Sequence, residues 1–244
     1  MSTISTWACL ACGARYDGHR TFCGRCWAQG QVVDVGRRLP ADVDAEPEAM
    51  SALDLARMTW ATVASRRYPE LHLGRGAFVL VKGRRGSGKS SFVTGLLDGV
   101  PAPVLLLSVE EPPGPSLAAR LLRVGVKRED FGIASHASVD QVVALLRQSK
   151  AAALAIDSVQ RAAYSPRDIR HLLTVIPTLA LVVCVSQVNA EGDVRGGEEY
   201  GHECDVLIDV ADMRWTIAKS RYQESGGGDV RVARITDTTA PEAA

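Results

Sequence analysis

The sequence has no net charge, no long hydrophobic run and no internal repeat, and each absence removes a class of protein. Lys and Arg number 28 against 28 Asp and Glu. No overall polycation therefore draws the chain to nucleic acid, and any such site has to be local. The longest apolar run, residues 172–185, is broken by Pro177 and falls short of the about 18 to 20 residues that a membrane span needs. The opening "MSTISTWACLACG" shows no basic start followed by a long apolar stretch, which is not the pattern of a secretory signal. Without a repeat, solenoids and propellers drop out. The expectation is a soluble, cytoplasmic protein without membrane contact.

What is present is ample core material. The 244 residues are 46% hydrophobic, which suits one large domain or one medium domain with an appendage. Four of the six cysteines, Cys9, Cys12, Cys23 and Cys26, stand in a C-x2-C-x10-C-x2-C pattern before residue 30. Two such pairs facing one another supply tetrahedral thiolate coordination for Zn²⁺, and so short a segment has too little core to fold without the metal. Redox or disulfide use is the other reading of the same pattern. With sulfur at all four positions no coordination site stays open, so the zinc would be structural; His19 reads as a surface residue, and Cys184 and Cys204 as core or loop thiols.

Composition divides the chain. Residues 1–33 form the candidate zinc ribbon, and residues 34–50 read as a linker, rich in Pro, Asp and Glu. Residues 51–236 form an α/β core, and residues 237–244 a disordered tail. Ser51 can cap a helix that carries Leu53, Ala56, Trp60 and Val63 on one face. The runs "AFVLVKG", "PVLLLSVE", "AALAIDS" and "LALVVCVSQ" read as strands. Helical patterns lie between them, one after Ser138 and one in which Ser165 caps, Pro166 fits the first turn and Asp168 favours its positive end. Near-continuous apolar strands alternating with helices predict a mainly parallel sheet flanked by helices. "MRWTIAK" and "DVRVARIT" have no helix between them and predict an antiparallel C-terminal extension, with the preceding glycines as its turn.

The strongest motif is "GRRGSGKS", residues 83–90, which matches G-x-x-x-x-G-K-[ST] between a predicted strand and a predicted helix. Its backbone N–H groups would face a nucleotide's β-phosphate. Gly83, Arg84, Arg85, Gly86, Ser87, Gly88, Lys89, Ser90 and Ser91 are the binding candidates; Lys89 would reach the β- and γ-phosphates and Ser90 would ligate Mg²⁺. Asp157 ends a strand, where α/β sheets bind ligands. It reads either as a second Mg²⁺ residue acting through water or as a turn or cap residue. Glu110 and Glu111 end another strand, either as a solvated acidic turn or as the base that deprotonates water, with Glu110, nearer the strand end, the better placed. Gln187 ends a fourth strand, from which an amide can sense a γ-phosphate. In "AKSRYQESGGG", Lys219 and Arg221 read on their own as the charged shoulder of a hairpin.

Taken together, these stretches resemble the RadA (Sms) family of bacterial DNA repair ATPases. "ACLACG" with "CGRC" is similar to that family's zinc finger, "GRRGSGKS" to its phosphate loop, "LLLSVEE" to its strand ending in a Glu pair and "AIDSVQ" to its metal-binding strand. "SQVNAEGDVRGGEEYGHECD" resembles the stretch after the fourth core strand, keeping Val188, Glu191, Gly192, Gly196, His202 and Asp205, and "AKSRY" looks like the family's K-N-R-F motif. The departures are specific. Asn189, Ala190, Glu191 and Gly192 stand where the family has Thr-Lys-Glu-Gly, and Gln187 stands for its usual His. Pro112 and Pro113 follow the Glu pair, and the expectation is a member of this kind lacking the family's C-terminal Lon-protease-like domain.

The resemblance implies a RecA-like P-loop NTPase core assembled as a homo-hexamer, using ATP, Mg²⁺ and Zn²⁺. It implies a DNA-dependent ATPase in recombination and repair that moves on single-stranded DNA or recombination intermediates, with a recombinase as a possible partner. ATP would lie between subunits, with Glu110 from one and Lys219 and Arg221 from the next. Arg161, Arg167, Arg170 and Arg195 would contact DNA phosphates in the central channel. Two other classes stay open. One is a regulatory or adaptor ATP-binding protein whose zinc ribbon binds partners. The other is a P-loop small-molecule kinase, which would share Lys89 and Asp157.

Overall fold

The computed structural model describes residues 61–189 and 199–232 in full, Ala52, and the backbone of three short strands near the N-terminus. The chain divides into two compact units, Met1–Ala61 and Thr62–Ala244. In the first, β1 (Trp7–Cys9) pairs antiparallel with β2 (Arg15–Tyr16) on one side and β3 (Val32–Asp34) on the other. Cys12, Cys23, Cys26 and the side chain of Cys9 lie outside the described residues, and the zinc expectation with them.

The second unit opens with β4 (Thr62–Val63) and β5 (Leu73–Gly74), an antiparallel pair. This corrects the helical reading at its end: Val63, expected on a helix face, is a strand residue opposite Leu73, as suits β-branched Thr62–Val63. Then follow β6 (Ala77–Gly83), α1 (Lys89–Asp98), β7 (Val104–Ser108), α2 (Pro115–Val124), β8 (Phe131–Ala134) and α3 (Val139–Ser149). After these come β9 (Ala153–Asp157), α4 (Val159–Ala162), α5 (Pro166–Val175), β10 (Leu181–Gln187), α6 (Glu199–Glu203), β11 (Val206–Ala211), β12 (Arg214–Ser220) and β13 (Gly227–Asp229). Capping boxes start α3 at Ser138 with Gln141 and α5 at Ser165 with Asp168, the Ser165 cap being one that the sequence predicts.

Eight strands form one sheet in the order β13-β12-β11-β6-β10-β9-β7-β8; β11 through β8 run parallel, and β12 and β13 antiparallel to their neighbours. Side chains alternate across it. Val79 and Val81 of β6 and Leu106 of β7 join Phe92 and Leu96 of α1 in one core, while Phe78, Leu80, Leu105 and Leu107 join Val142, Leu146, Ile169 and Leu172 in the other. At about 1.5–3 kcal/mol for each large apolar side chain buried, these two layers fix both the register and the helices that cover it. The parallel strands end together, at Gly83, Ser108, Asp157 and Gln187, on one edge of the sheet.

The C-terminal hairpin corrects a second expectation. The glycines are not the turn: Gly227–Asp229 is the strand, paired with Arg214–Thr216. A Cβ on Gly227 would stand 2.7 Å from the Trp215 carbonyl oxygen, and one on Gly228 3.3 Å from the Trp215 indole nitrogen. Only a strand without side chains lies this close to the Trp215 backbone and ring. Trp215 itself is fully buried, tilted on Phe92 at 5.6 Å and edge-on to Tyr68 at 5.9 Å.

Two buried tyrosines tie α5, α6 and the start of α3 together. The Tyr200 hydroxyl donates to the Tyr164 carbonyl, and the Tyr164 hydroxyl to that of Ala137. Burial pushes both phenols up to about 12 from 10.0. Because the folded chain holds these protons more tightly than the unfolded one, their contribution is complete below pH 10.0 and is lost as pH rises through about 12. Tyr164→Phe and Tyr200→Phe should each flatten the alkaline loss of stability, read as urea midpoints across this range, and cost about 1 kcal/mol at neutral pH.

Candidate nucleotide site

The loop between β6 and α1 has a backbone only glycine tolerates at its ends. Gly83 has φ +156°, and a Cβ there would stand 2.2 Å from the Val210 carbonyl oxygen; Gly88 has φ +103°, with a Cβ 2.7 Å from Met213 Sδ. The turn Asp212–Met213 thus presses on the loop, and Met213 N–H donates to the Ser87 carbonyl at 3.1 Å. No side chain caps α1 and its first turn holds no acid, so its positive end is left for an anion. Ser87 Oγ is buried with no partner among the described residues, and Lys89 Nζ folds back to the Arg84 carbonyl at 2.7 Å. A cavity of about 320 Å³ opens over Gly86, Ser87, Lys89 and Ser90, flanked by Arg123 and Met213. An uncapped helix end, an unpartnered hydroxyl and a lysine whose ammonium donates to a backbone carbonyl fit a nucleotide's phosphates.

Beside this loop the strand ends bring the predicted acids together. Val109 and Glu110 N–H donate to the Asp157 carbonyl at 2.7 and 2.9 Å, folding the turn after β7 onto the end of β9. Glu110 Oε1 accepts from Gln187 Nε2 at 2.8 Å, linking the end of β10 to the same turn, and Val188 N–H reaches the Gly83 carbonyl at 3.4 Å. Burial holds the Lys89 ammonium below its ordinary pKa of 10.5, opposed by the carboxylates of Asp157 and Glu110. Among the described residues no three His, Cys, Asp or Glu side chains converge as a metal cage. Mg²⁺ in a nucleotide site binds through few protein groups together with substrate phosphates, and Ser90 and Asp157 are the residues that would hold it.

One residue at the site was not among the sequence candidates. Arg120 of α2 is buried, and its Nη1 lies 3.0 Å from Asp157 Oδ2 and 3.3 Å from Glu111 Oε2. Its signal is in the pattern: Arg120 interrupts the apolar stripe of Leu117, Leu121 and Val124, where a charge needs a buried partner. The same pair separates the two acids. Glu111 is committed to Arg120 and to the Ser116 hydroxyl, whereas the Glu110 carboxylate accepts from the neutral amide of Gln187.

The remaining candidates fall into three groups. Arg161 and Arg167 are exposed on α4 and α5, while Arg195 lies outside the described residues. Arg170 is not available as a phosphate contact: its guanidinium lies 3.0 and 3.1 Å from the two Asp205 oxygens, donates to the Glu203 carbonyl and stacks 5.5 Å over Phe78. Lys219 and Arg221 part company. Lys219 Nζ donates to the carbonyls of Gly201, His202 and Cys204 at 2.9–3.0 Å, closing the C-terminus of α6 within its own chain rather than pointing outward. Arg221 is 58% exposed and meets Asp205 Oδ1 at 3.5 Å. Through β11, Ser220 is level with Val79 near the start of β6, roughly 13 Å along that strand from Gly83.

A second cleft, about 490 Å³, lies at the far ends of α1 and α2, lined by Arg66, Asp98, Lys127 and Arg128 among others. Arg128 spends its donors on Asp130 and on the carbonyls of Val100 and Ala102, so this cleft closes helix ends rather than gathering reactive groups.

No family model matches the chain. The DNA repair protein RadA of Aquifex aeolicus is 25% identical over 68% of this chain and 41% of its own length. Its namesake in Escherichia coli is 22% identical over 89% of this chain and 55% of its own. The chain thus spans about half the length of the curated relatives it matches. Among solved structures, a KaiC-like protein of Pyrococcus horikoshii superposes with a TM-score of 0.51 at 18% identity, over 70% of this chain and 93% of that one. The second unit has a RecA-like fold, a mainly parallel sheet flanked by helices. Among the described residues no helix is long and apolar enough to cross a membrane.

Proposed function

We propose that the chain is an ATP hydrolase of the RadA/RecA type, working as a homo-hexameric ring on single-stranded DNA in recombination and repair. The observation that carries this reading is the meeting of Lys89, Asp157, Glu110 and Gln187 at one sheet edge. Lys89 leaves the Arg84 carbonyl for the β- and γ-phosphates. Glu110 takes the proton of the attacking water, and Gln187, bonded to Glu110, feels whether a γ-phosphate is present and passes this to the loop that follows β10. Mg²⁺, when bound at Ser90 and Asp157, neutralises phosphate charge. Arg221 of a neighbouring copy stabilises the charge building on the transferred group. Arg161, Arg167 and Arg195 face the DNA backbone, and the four-cysteine segment is a zinc ribbon for a partner such as a recombinase.

The test is the ATPase rate with and without single-stranded DNA. It should rise with DNA. A rise with a small phosphoryl acceptor instead would identify a kinase, and a rate near zero in both arms an adaptor.

A further inference from the structure

We infer that Arg120 is a positioning residue that competes with Mg²⁺ for Asp157, with Glu111 as the second carboxylate to which its guanidinium retreats when the metal is seated. This rests on the reading of Asp157 as the metal carboxylate. The geometry is unusual for a structural ion pair. A guanidinium that braces two elements ordinarily offers a two-pronged face to one carboxylate. Here a single nitrogen, Nη1, is divided between Asp157 Oδ2 at 3.0 Å and Glu111 Oε2 at 3.3 Å, and these acids stand on different elements, the end of β9 and the turn after β7. Nη2 has a long contact to Ser108 Oγ at 3.5 Å, and Nε is buried without a partner among the described residues. The side chain is therefore held by charge more than by a full set of directed bonds, and a small shift moves it from one carboxylate to the other.

The two acids are unequal hosts. Asp157 is 4% exposed and Glu111 26%. Leaving Asp157 without a cation is the more costly state, so in the metal-free chain Arg120 belongs to Asp157. A divalent ion approaching that carboxylate meets a fixed positive charge a few ångströms away. Yielding Asp157 to the metal is possible because Glu111, partly wetted and steadied by Ser116, accepts the guanidinium. Arg120 thus sets how much Mg²⁺ is required, and Glu111 sets how readily Arg120 gives way.

The test needs no turnover. The full chain is titrated with Mg²⁺ at a fixed concentration of a fluorescent, non-hydrolysable ATP analogue, and the half-saturating Mg²⁺ is read from anisotropy. Arg120→Gln should lower it about tenfold, Arg120→Lys, which keeps the charge, should stay near the parent value, and Glu111→Gln should raise it severalfold. In the Arg120→Gln background Glu111→Gln should have little further effect, because nothing is left to retreat; an equal increase in both backgrounds would mean a simple additive field and overturn the competition. Should Arg120→Gln not fold, Glu111→Gln against Glu111→Asp carries the test, since the aspartate still receives the guanidinium and only the amide should raise the requirement. If the parent chain shows no Mg²⁺ dependence, Asp157's metal role falls and the competition with it. A normal parental dependence with unmoved variants overturns the competition alone.

Discussion

Glu110→Gln protein should bind ATP with nearly unchanged affinity and hydrolyse it about 10² to 10⁴ times more slowly. The substitution keeps the length and shape of the side chain, so the turn folded onto the Asp157 carbonyl is preserved, but an amide cannot take a proton from water. It also turns the contact with Gln187 Nε2 from a charge-assisted bond into one between two amides, which loosens the link to β10. Glu111 is differently engaged: one oxygen is in an ion pair with Arg120 and the other accepts from the Ser116 hydroxyl, so neither is free to receive a water's proton. Glu111→Gln, measured at saturating Mg²⁺, should therefore lose much less. Single-turnover rates beside equilibrium binding of the nucleotide separate the two. Equal losses would move the base to Glu111 or show that neither residue acts alone.

Much of the architecture was legible because two periodicities were strong. The runs that became β6, β7, β9 and β10 are nearly continuous in apolar residues, as strands buried on both faces must be, and the cap at Ser165 is local chemistry that no tertiary contact needs to assist. The failures fall where tertiary contact decides. Val63 continues a helical spacing, yet its pairing with Leu73 places it in a strand. The three glycines, 226–228, read as a turn by composition, and only the crowding by Trp215, a residue about a dozen positions earlier, makes Gly227 and Gly228 fitting strand residues.

At the site the same division holds. The phosphate loop, Asp157 and the Glu pair announce themselves because each motif ends a strand, and a parallel sheet gathers strand ends at one edge. Arg120 is fainter, since a lone arginine on a helix shows only as a break in an apolar stripe, and its partners lie 9 and 37 positions away. The sequence also treats Lys219 and Arg221 alike. The strand β12 ends at Ser220, so Lys219, still within it, reaches the carbonyls that end α6, while Arg221 lies beyond the strand, largely exposed.

That difference gives the pair opposite expected phenotypes. Lys219→Ala should cost stability, about 1–3 kcal/mol for three carbonyls that lose one cationic donor, read as a lower urea midpoint. Arg221→Ala should leave folding and ATP binding intact and reduce turnover about 10³- to 10⁵-fold. Arg221 cannot serve its own phosphate loop, because it stands near the start of β6 while Lys89 stands past its end; the loss therefore requires a neighbour. Mixing makes this decisive. Arg221→Ala and Glu110→Gln subunits, each nearly inactive alone, form intact interfaces wherever the first supplies Glu110 and the second Arg221. In a head-to-tail ring assembled at random from equal parts, about one interface in four has that pairing. Turnover should thus reappear on mixing and peak near equal ratios. Two folded variants that stay silent at every ratio would rule out a shared site.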